Sequence, residues 1–377
     1  MKKLFVFAIA ATCVVAACNK NPLPTPEDET PVAVQFNTKT IDASVTRTKA
    51  AINQWSGNED LYVYGFAVKR QGGTDNGAQI VLGSGRYDLN NPFINNVSAK
   101  SPAQGLDGEI KVYANNPEPF YYDINTSVVY DFYGYYYDDA ELGTAVKAND
   151  AIAYPITIDG THDLLYATTD KDVDVQKDVQ GRVSAHQAYG SWAARRGVQP
   201  TLNFKHALSQ FKFEVQKGSG SYQGRLEVEE IQIIGSNKGK FTVVGNNLGY
   251  TAVDDDNESD SFKLSDLNIE MVPPVYSHVY QEVPGVLMVS PNQTSITVKI
   301  TMSATDYSVN GGNIVYEFEL PASSIDGKTA FLAGESYKIQ IIVYGPEEVK
   351  FNVTLDPWTE GGTINYDPDD NNNAPLG

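Results

Sequence analysis

The chain has 377 residues, a formal net charge of −19 and a sequence pI near 4.6. That acidity repels nucleic-acid phosphates and anionic lipid headgroups, so neither a nucleic-acid partner nor electrostatic docking on a membrane fits. Only two cysteines occur, Cys13 and Cys18, beside 23 Tyr, 15 Phe, 31 Gly and 19 Pro, which excludes a disulfide scaffold and favours short β-strands punctuated by turns.

Lys2 and Lys3 precede an apolar run of 14 residues, Leu4 to Ala17. A membrane span takes about 20 residues, so this run has the length of a secretory h-region instead. It closes as Val15-Ala16-Ala17-Cys18. Small residues at Ala16 and Ala17 fit a signal-peptidase groove, and a cysteine directly after them can take a thioether-linked diacylglycerol. The run resembles a bacterial lipoprotein lipobox, with cleavage between Ala17 and Cys18 and lipid on Cys18. The alternative is an ordinary signal peptide that ends near a cysteine; Cys13 is the poorer acceptor because Thr12 precedes it. Several acyl chains, at about 0.8 kcal/mol per buried methylene, hold a protein firmly on a membrane. The lipid is therefore the expected membrane contact. Loss of residues 1–17 and lipidation of Cys18 leave no thiol for a disulfide, so stability rests on burial and backbone pairing. The remaining length suits about two domains.

Asn19 to Pro31 is polar with four prolines and reads as a tether. Val32, Val34 and Phe36 then alternate as in a strand. Thr38 to Ala51 is small and polar and holds Arg47 and Lys49; Trp55 and a turn at Ser56-Gly57-Asn58 follow. Leu61 to Val68 (LYVYGFAV) reads as a strand buried on both faces, residues 70–120 as loop-rich, Val128 to Tyr137 (VVYDFYGYYY) as a strong strand, and Leu164 to Ala167 as a short one. Asp170 to Gly181 reads as a charged loop. Residues 184–200 break the β pattern and offer the best domain boundary. Leu202, Phe204 and His206 share one phase and Phe211, Phe213 and Val215 the other. A bulge near Ala207 to Gln210 is the expected cause. Strands follow at Leu226 to Ile234, Phe241 to Val244, Val286 to Val289, Ile296 to Met302, Ile314 to Leu320, Tyr337 to Val343 and Val349 to Leu355, with a turn at Gly345-Pro346. No clean internal repeat is visible. The expected fold is all-β, two β-sandwiches in tandem, divided as signal peptide 1–17, tether 18–31, N-terminal domain 32–195 and C-terminal domain with its tail 196–377.

Four stretches carry a family resemblance: Leu202 to Val215 (LNFKHALSQFKFEV), Leu332 to Val343 (LAGESYKIQIIV), Val353 to Gly362 (VTLDPWTEGG) and Asp163 to Ala167 (DLLYA). With the lipobox and Thr46-Arg47 ahead of Trp55, their order resembles the fimbrillin-like family of Bacteroidales surface proteins. The resemblance implies transthyretin-like sandwich domains and a pilus subunit that serves adhesion. It implies export as an outer-membrane lipoprotein, then cleavage by a surface arginine-specific protease. Assembly with other fimbrial subunits would then proceed by strand exchange into an extracellular fimbria. On this sequence the cut falls between Arg47 and Thr48 and releases the Val32, Val34, Phe36 strand. The replacing strand would come from the tail after Trp358. Thr359 to Gly377 spans 19 residues, roughly 60 Å when extended. Its alternating Ile364 and Tyr366 would plug two pockets, each worth about 1.5–3 kcal/mol when fully buried. A host glycan or host protein is a further expected partner.

Other constellations read differently. His162, His186, His206 and His278 have no metal-ligand spacing, and no nucleophile elbow or phosphate loop occurs. Asp170, Asp172, Asp174 and Asp178 lack the glycine and glutamate of an EF-hand. They and Asp254 to Asp256 read as solvated loops, with a looser calcium site as the alternative. Tyr130, Tyr133, Tyr135, Tyr136 and Tyr137 read as core aromatics, with sugar stacking as the alternative. No glycosidase dyad stands out among 47 acidic residues. The sequence therefore points to a structural subunit without cofactor or metal. A lipid-anchored surface glycan-binding protein is the second reading, and an enzyme is not expected.

Overall fold

The computed structural model describes residues 30–39, 55–68, 86–102, 108–110, 112, 119–138, 142–219, 224–253, 260–271, 280–304, 313–345 and 348–356. The protein is all-β. In chain order the strands of its first half are β1 (Phe36–Lys39), β2 (Asp60–Ala67), β3 (Ile94–Lys100), β4 (Gly108–Ile110), β5 (Tyr130–Tyr137), β6 (Val146–Ala148), β7 (Ala151–Thr157) and β8 (Leu164–Thr169). Two short helices follow, α1 (Lys171–Asp174) and α2 (Ser191–Ala194). Then come β9 (Thr201–His206), β10 (Ser209–Lys217), β11 (Leu226–Ile234), β12 (Lys238–Val244), β13 (Gly249–Ala252), β14 (Ser261–Leu264) and β15 (Ile269–Glu270). The last are β16 (Gln281–Glu282), β17 (Leu287–Val289), β18 (Ser295–Ala304), β19 (Asn313–Pro321), β20 (Ser336–Gly345) and β21 (Glu348–Asp356).

A seven-stranded sheet runs β3-β2-β5-β8-β9-β1-β4. It is buried on both faces, which explains why β2 and β5 carry large apolar side chains in both phases. Leu61, Val63, Phe132, Leu165, Leu202 and Phe204 face one core; Tyr64, Phe66, Tyr133, Tyr135 and Leu164 face the other. Gly134 of β5 allows this packing: a methyl there would stand 3.0 Å from Leu202 and 3.1 Å from Phe204. Residues 175–198 lie under the first face, where Ala188, Tyr189, Ala193 and Val198 join that core. Here the expected charged loop is partly helical. Asp170 caps α1 by accepting from the amides of Asp172 and Val173, a direct use of an N-cap aspartate. The expected loop-rich stretch 70–120 also contains β3 and β4. In β3, Asn95 and Asn96 are exposed at the sheet edge, so no apolar alternation marks it.

The phase change near Ala207 has a different origin from a bulge. β9 belongs to the seven-stranded sheet, and β10 pairs with β20, β16 and β17 in another. The chain steps between sheets at Ala207-Leu208. The 195/196 division, drawn where the β pattern breaks, lies within the segment that packs under the first sheet. His206 stands at the step, with Nδ1 3.0 Å from Oδ1 of Asp163 in a fully buried pair.

Beyond the step, the β16-β10-β20-β21 sheet faces the β14-β11-β18-β19 sheet. Phe211 stacks on Tyr337 at 5.3 Å through the parallel β10–β20 pairing. β20 and β21 form the antiparallel pair expected around Gly345. A four-stranded sheet, β13-β12-β7-β6, draws two strands from each half of the chain. One continuous core therefore extends from Tyr64 to Val353.

Phe241 of β12 is the sharpest test of that continuity, because its ring meets Tyr135 of β5 edge-on at 6.1 Å. Phe241→Ala should cost about 3–5 kcal/mol and move a single calorimetric transition to lower temperature. Two transitions, only one displaced, would mean that the halves unfold separately.

Candidate functional site

Thr30 to Lys39 is the first described segment, and it lies inside the seven-stranded sheet rather than at its rim. Val34 and Phe36 are 0% exposed and Val32 is half-buried, all three in one core. Phe36 meets Phe132 edge-on at 5.0 Å. Full burial of two such side chains is worth about 3–6 kcal/mol together, a large share of a typical 5–15 kcal/mol stability.

The backbone of this segment is paired along both sides. On one side, Val34 N–H donates to Phe120 O at 2.8 Å and Tyr122 N–H to Val32 O at 3.0 Å; β1 then runs antiparallel to β4, Phe36 opposite Ile110. On the other side, β1 runs parallel to β9, Thr38 opposite Leu202, in the one parallel pairing of this sheet. β9 begins only at Thr201, and Pro200 before it has no N–H to give. Its carbonyl still accepts from Asn37 N–H at 3.0 Å. One step further back, the Gln199 side chain continues the ladder. Its Oε1 accepts from Gln35 N–H at 3.2 Å and from Tyr122 Oη at 3.3 Å, and its Nε2 donates to Ala33 O at 3.4 Å. A primary amide carries the same donor and acceptor as a peptide group, so Gln199 acts as one more strand residue. Arg195 Nη2 holds Thr30 O at 2.8 Å.

The start of β9 is fixed without help from the leading strand. Asp174, 1% exposed, accepts from Thr201 N–H at 2.8 Å, Thr201 Oγ1 at 2.7 Å, Tyr189 Oη at 2.7 Å and Lys177 Nζ at 2.7 Å. On the far side of residues 40–54, Trp55 re-enters the core against Phe204 at 5.1 Å and Tyr136 at 6.4 Å. The chain is thus anchored before and after the stretch that holds Arg47.

Of the residues singled out from sequence, Val32, Val34 and Phe36 come together in this groove. Ala17, Cys18, Arg47, Thr48, Ile364, Tyr366 and the Asp254 to Asp256 loop lie outside the described residues. Gln199 and Asp174 were not legible as groove residues; only the Gln-Pro dipeptide ahead of a strand marks the first, and nothing in spacing marks the second. Among the acidic loop residues, Asp170 caps a helix, Asp174 is the buried node, and Asp178 accepts from the amides of Gln180, Arg182 and Val183. Among the described residues no group of His, Cys, Asp and Glu is placed to hold a metal ion, and no helix is long and apolar enough to cross a membrane. Tyr130, Tyr133, Tyr135 and Tyr136 are buried, and half-buried Tyr137 stacks on Tyr62 at 5.3 Å. The four buried rings pack the two faces of the sheet.

Removing the Gln199 amide tests its backbone-like role. Gln199→Ala should cost about 1–3 kcal/mol and collapse hydrogen-exchange protection at Gln35 N–H more than at Val34 N–H. Unchanged protection at Gln35 would contradict that role.

Known proteins give a consistent picture. The family model described as fimbrillin-like matches residues 46–358. The structure is similar to that of a fimbrial protein from Bacteroides vulgatus, at 14% identity and a TM-score of 0.54, over 87% of this chain and 99% of that one. It is more distantly similar to a provisionally named cell adhesion protein from Bacteroides uniformis, at 14% identity and a TM-score of 0.44, over 89% and 100% of the two chains. No curated protein matches the chain.

Proposed function

Because the chain belongs to the fimbrillin-like family, we propose that it is a structural subunit of a cell-surface fimbria serving adhesion, assembled by exchange of its leading strand. The observation that carries this reading is the seat of that strand. Residues 32–36 complete the core of the seven-stranded sheet, and their covalent link to the rest of that sheet runs through residues 40–54. A cut between Arg47 and Thr48 by an arginine-specific surface protease frees the strand together with the tether and the lipid on Cys18. What remains is a slot between β4 and β9 with open backbone groups on both edges. Such an edge pairs with any strand that fits.

The strand that fills it comes from another subunit, and the tail beyond Trp358 supplies it, with Ile364 and Tyr366 as the two plugs. The span matched by the family model supports this division. It opens at Thr46, beside Arg47, and closes at Trp358, so it leaves out both the strand that departs and the tail that replaces it. The precursor resides on the outer membrane through its lipid and the mature form in the extracellular fimbria. No catalytic role is assigned, and a host glycan or protein is the expected adhesion partner.

Arg47→Ala tests the maturation step directly. A protease specific for arginine should convert the normal protein to a form that starts at Thr48 and runs as a ladder of multimers in cold detergent, and the variant should stay monomeric. A trimmed protein that remains monomeric overturns the exchange reading.

A further inference from the structure

The face of the seven-stranded sheet opposite the leading-strand core carries a cleft. Its floor is set by register. Thr168 of β8 lies between Tyr133 of β5 and Asn203 of β9, and Tyr166 lies opposite Lys205. Alternate residues share a face, so this row points away from Leu165, Ala167, Leu202 and Phe204, which fill the other core. Arg86 and Lys171 complete a cavity of about 460 Å³, within the usual size of small-ligand sites.

One end of the cleft is charged and fixed. Buried Asp131 takes the guanidinium of Arg86, the ammonium of Lys171 and, at 2.6 Å, the hydroxyl of Tyr87. Burial pushes its carboxyl up, but the Lys171 ammonium, the Tyr87 hydroxyl and the Arg86 guanidinium together hold it below the usual carboxylate range. Tyr87 and Tyr133 join hydroxyls at 2.9 Å. Asp170 in the lining is taken up by the amides of Asp172 and Val173, and part of the remaining polar lining is open. Arg86 Nε is buried without a hydrogen-bond partner among the described residues. The side chains of Tyr166, Thr168, Asn203 and Lys205 likewise form no hydrogen bond or ion pair with the described residues.

Those open groups define the ligand chemistry. The lining has no continuous apolar wall, which disfavours lipid. Its cations (Arg86, Lys171 and Lys205) are matched by carboxylates at Asp131, Asp170 and Asp172, so no strong field favours a phosphate. Donors and acceptors of both kinds converge beside one half-buried tyrosine ring, as a polyhydroxylated ring requires. We propose that this cleft binds one sugar residue of a glycan. Asn203, Thr168 and Lys205 engage its oxygen substituents, and the ring of Tyr166 covers its apolar face. The site is independent of strand exchange, since no residue of the leading strand lines it.

Saturation-transfer NMR on the full chain tests this site, with methyl β-D-galactoside, methyl α-D-mannoside and methyl β-D-glucuronide as probes. Transfer to at least one is expected; the neutral or acidic response identifies the sugar class. Asn203→Ala and Lys205→Ala should each weaken binding about tenfold with the melting temperature unchanged, because neither side chain has a described partner. Thr168→Val, which keeps the shape of the floor, should weaken it in the same way. Absence of transfer to all three probes, or transfer that survives the Asn203→Ala, Lys205→Ala double variant, overturns the proposal.

Discussion

Val34 and Phe36, both fully buried, complete a core built by other parts of the chain. Phe36 meets Phe132 edge-on, and both side chains share one core with Tyr122 and Leu202, residues from widely separated stretches. A rim strand would add contacts to a core already closed. This one completes the core, and its backbone groups are taken up on both sides. Its departure would expose apolar surface and two open ladders at once, a combination that drives recapture of a strand rather than tolerance of a gap.

Recapture requires that the slot keep its shape. The buried carboxylate of Asp174 ties Thr201 to Tyr189 and Lys177, so the start of β9 is held by residues that do not belong to the leading strand. Gln199 extends β9 past Pro200 through its side-chain amide. The Gln199 amide reads the backbone of the leading strand and not its side chains, and so accepts any extended segment. Selectivity is left to the two pockets that Val34 and Phe36 fill. The continuous core beneath, with β7 and β12 paired across the two halves of the chain, gives the slot a stiff support.

The sequence made some of this legible for a physical reason. β2 and β5 carry large apolar side chains in both phases because the sheet is covered on both faces, and β20 alternates cleanly because one of its faces is buried. The alternation of Val32, Val34 and Phe36 announced a strand, although not its place between β9 and β4; parallel pairing with β9 depends on residues far along the chain. β3 escaped notice because its asparagines face solvent. The step at Ala207-Leu208 resembled a bulge because both reverse the phase of the pattern. An amide side chain that stands in for backbone leaves no periodic trace at all, and neither does the cleft above Asn203, which exists only through cross-strand register.

The claim that the leading strand occupies a replaceable place is tested most directly by hydrogen exchange on protein that begins at Thr48, with and without a synthetic peptide of residues 30–39. Amides of β4 and β9 should lose protection when the strand is absent and regain it on adding the peptide. A peptide with Phe36→Asp should fail to restore it. Full protection of β9 in the shortened protein without any peptide would contradict the claim, because it would mean that no vacancy forms.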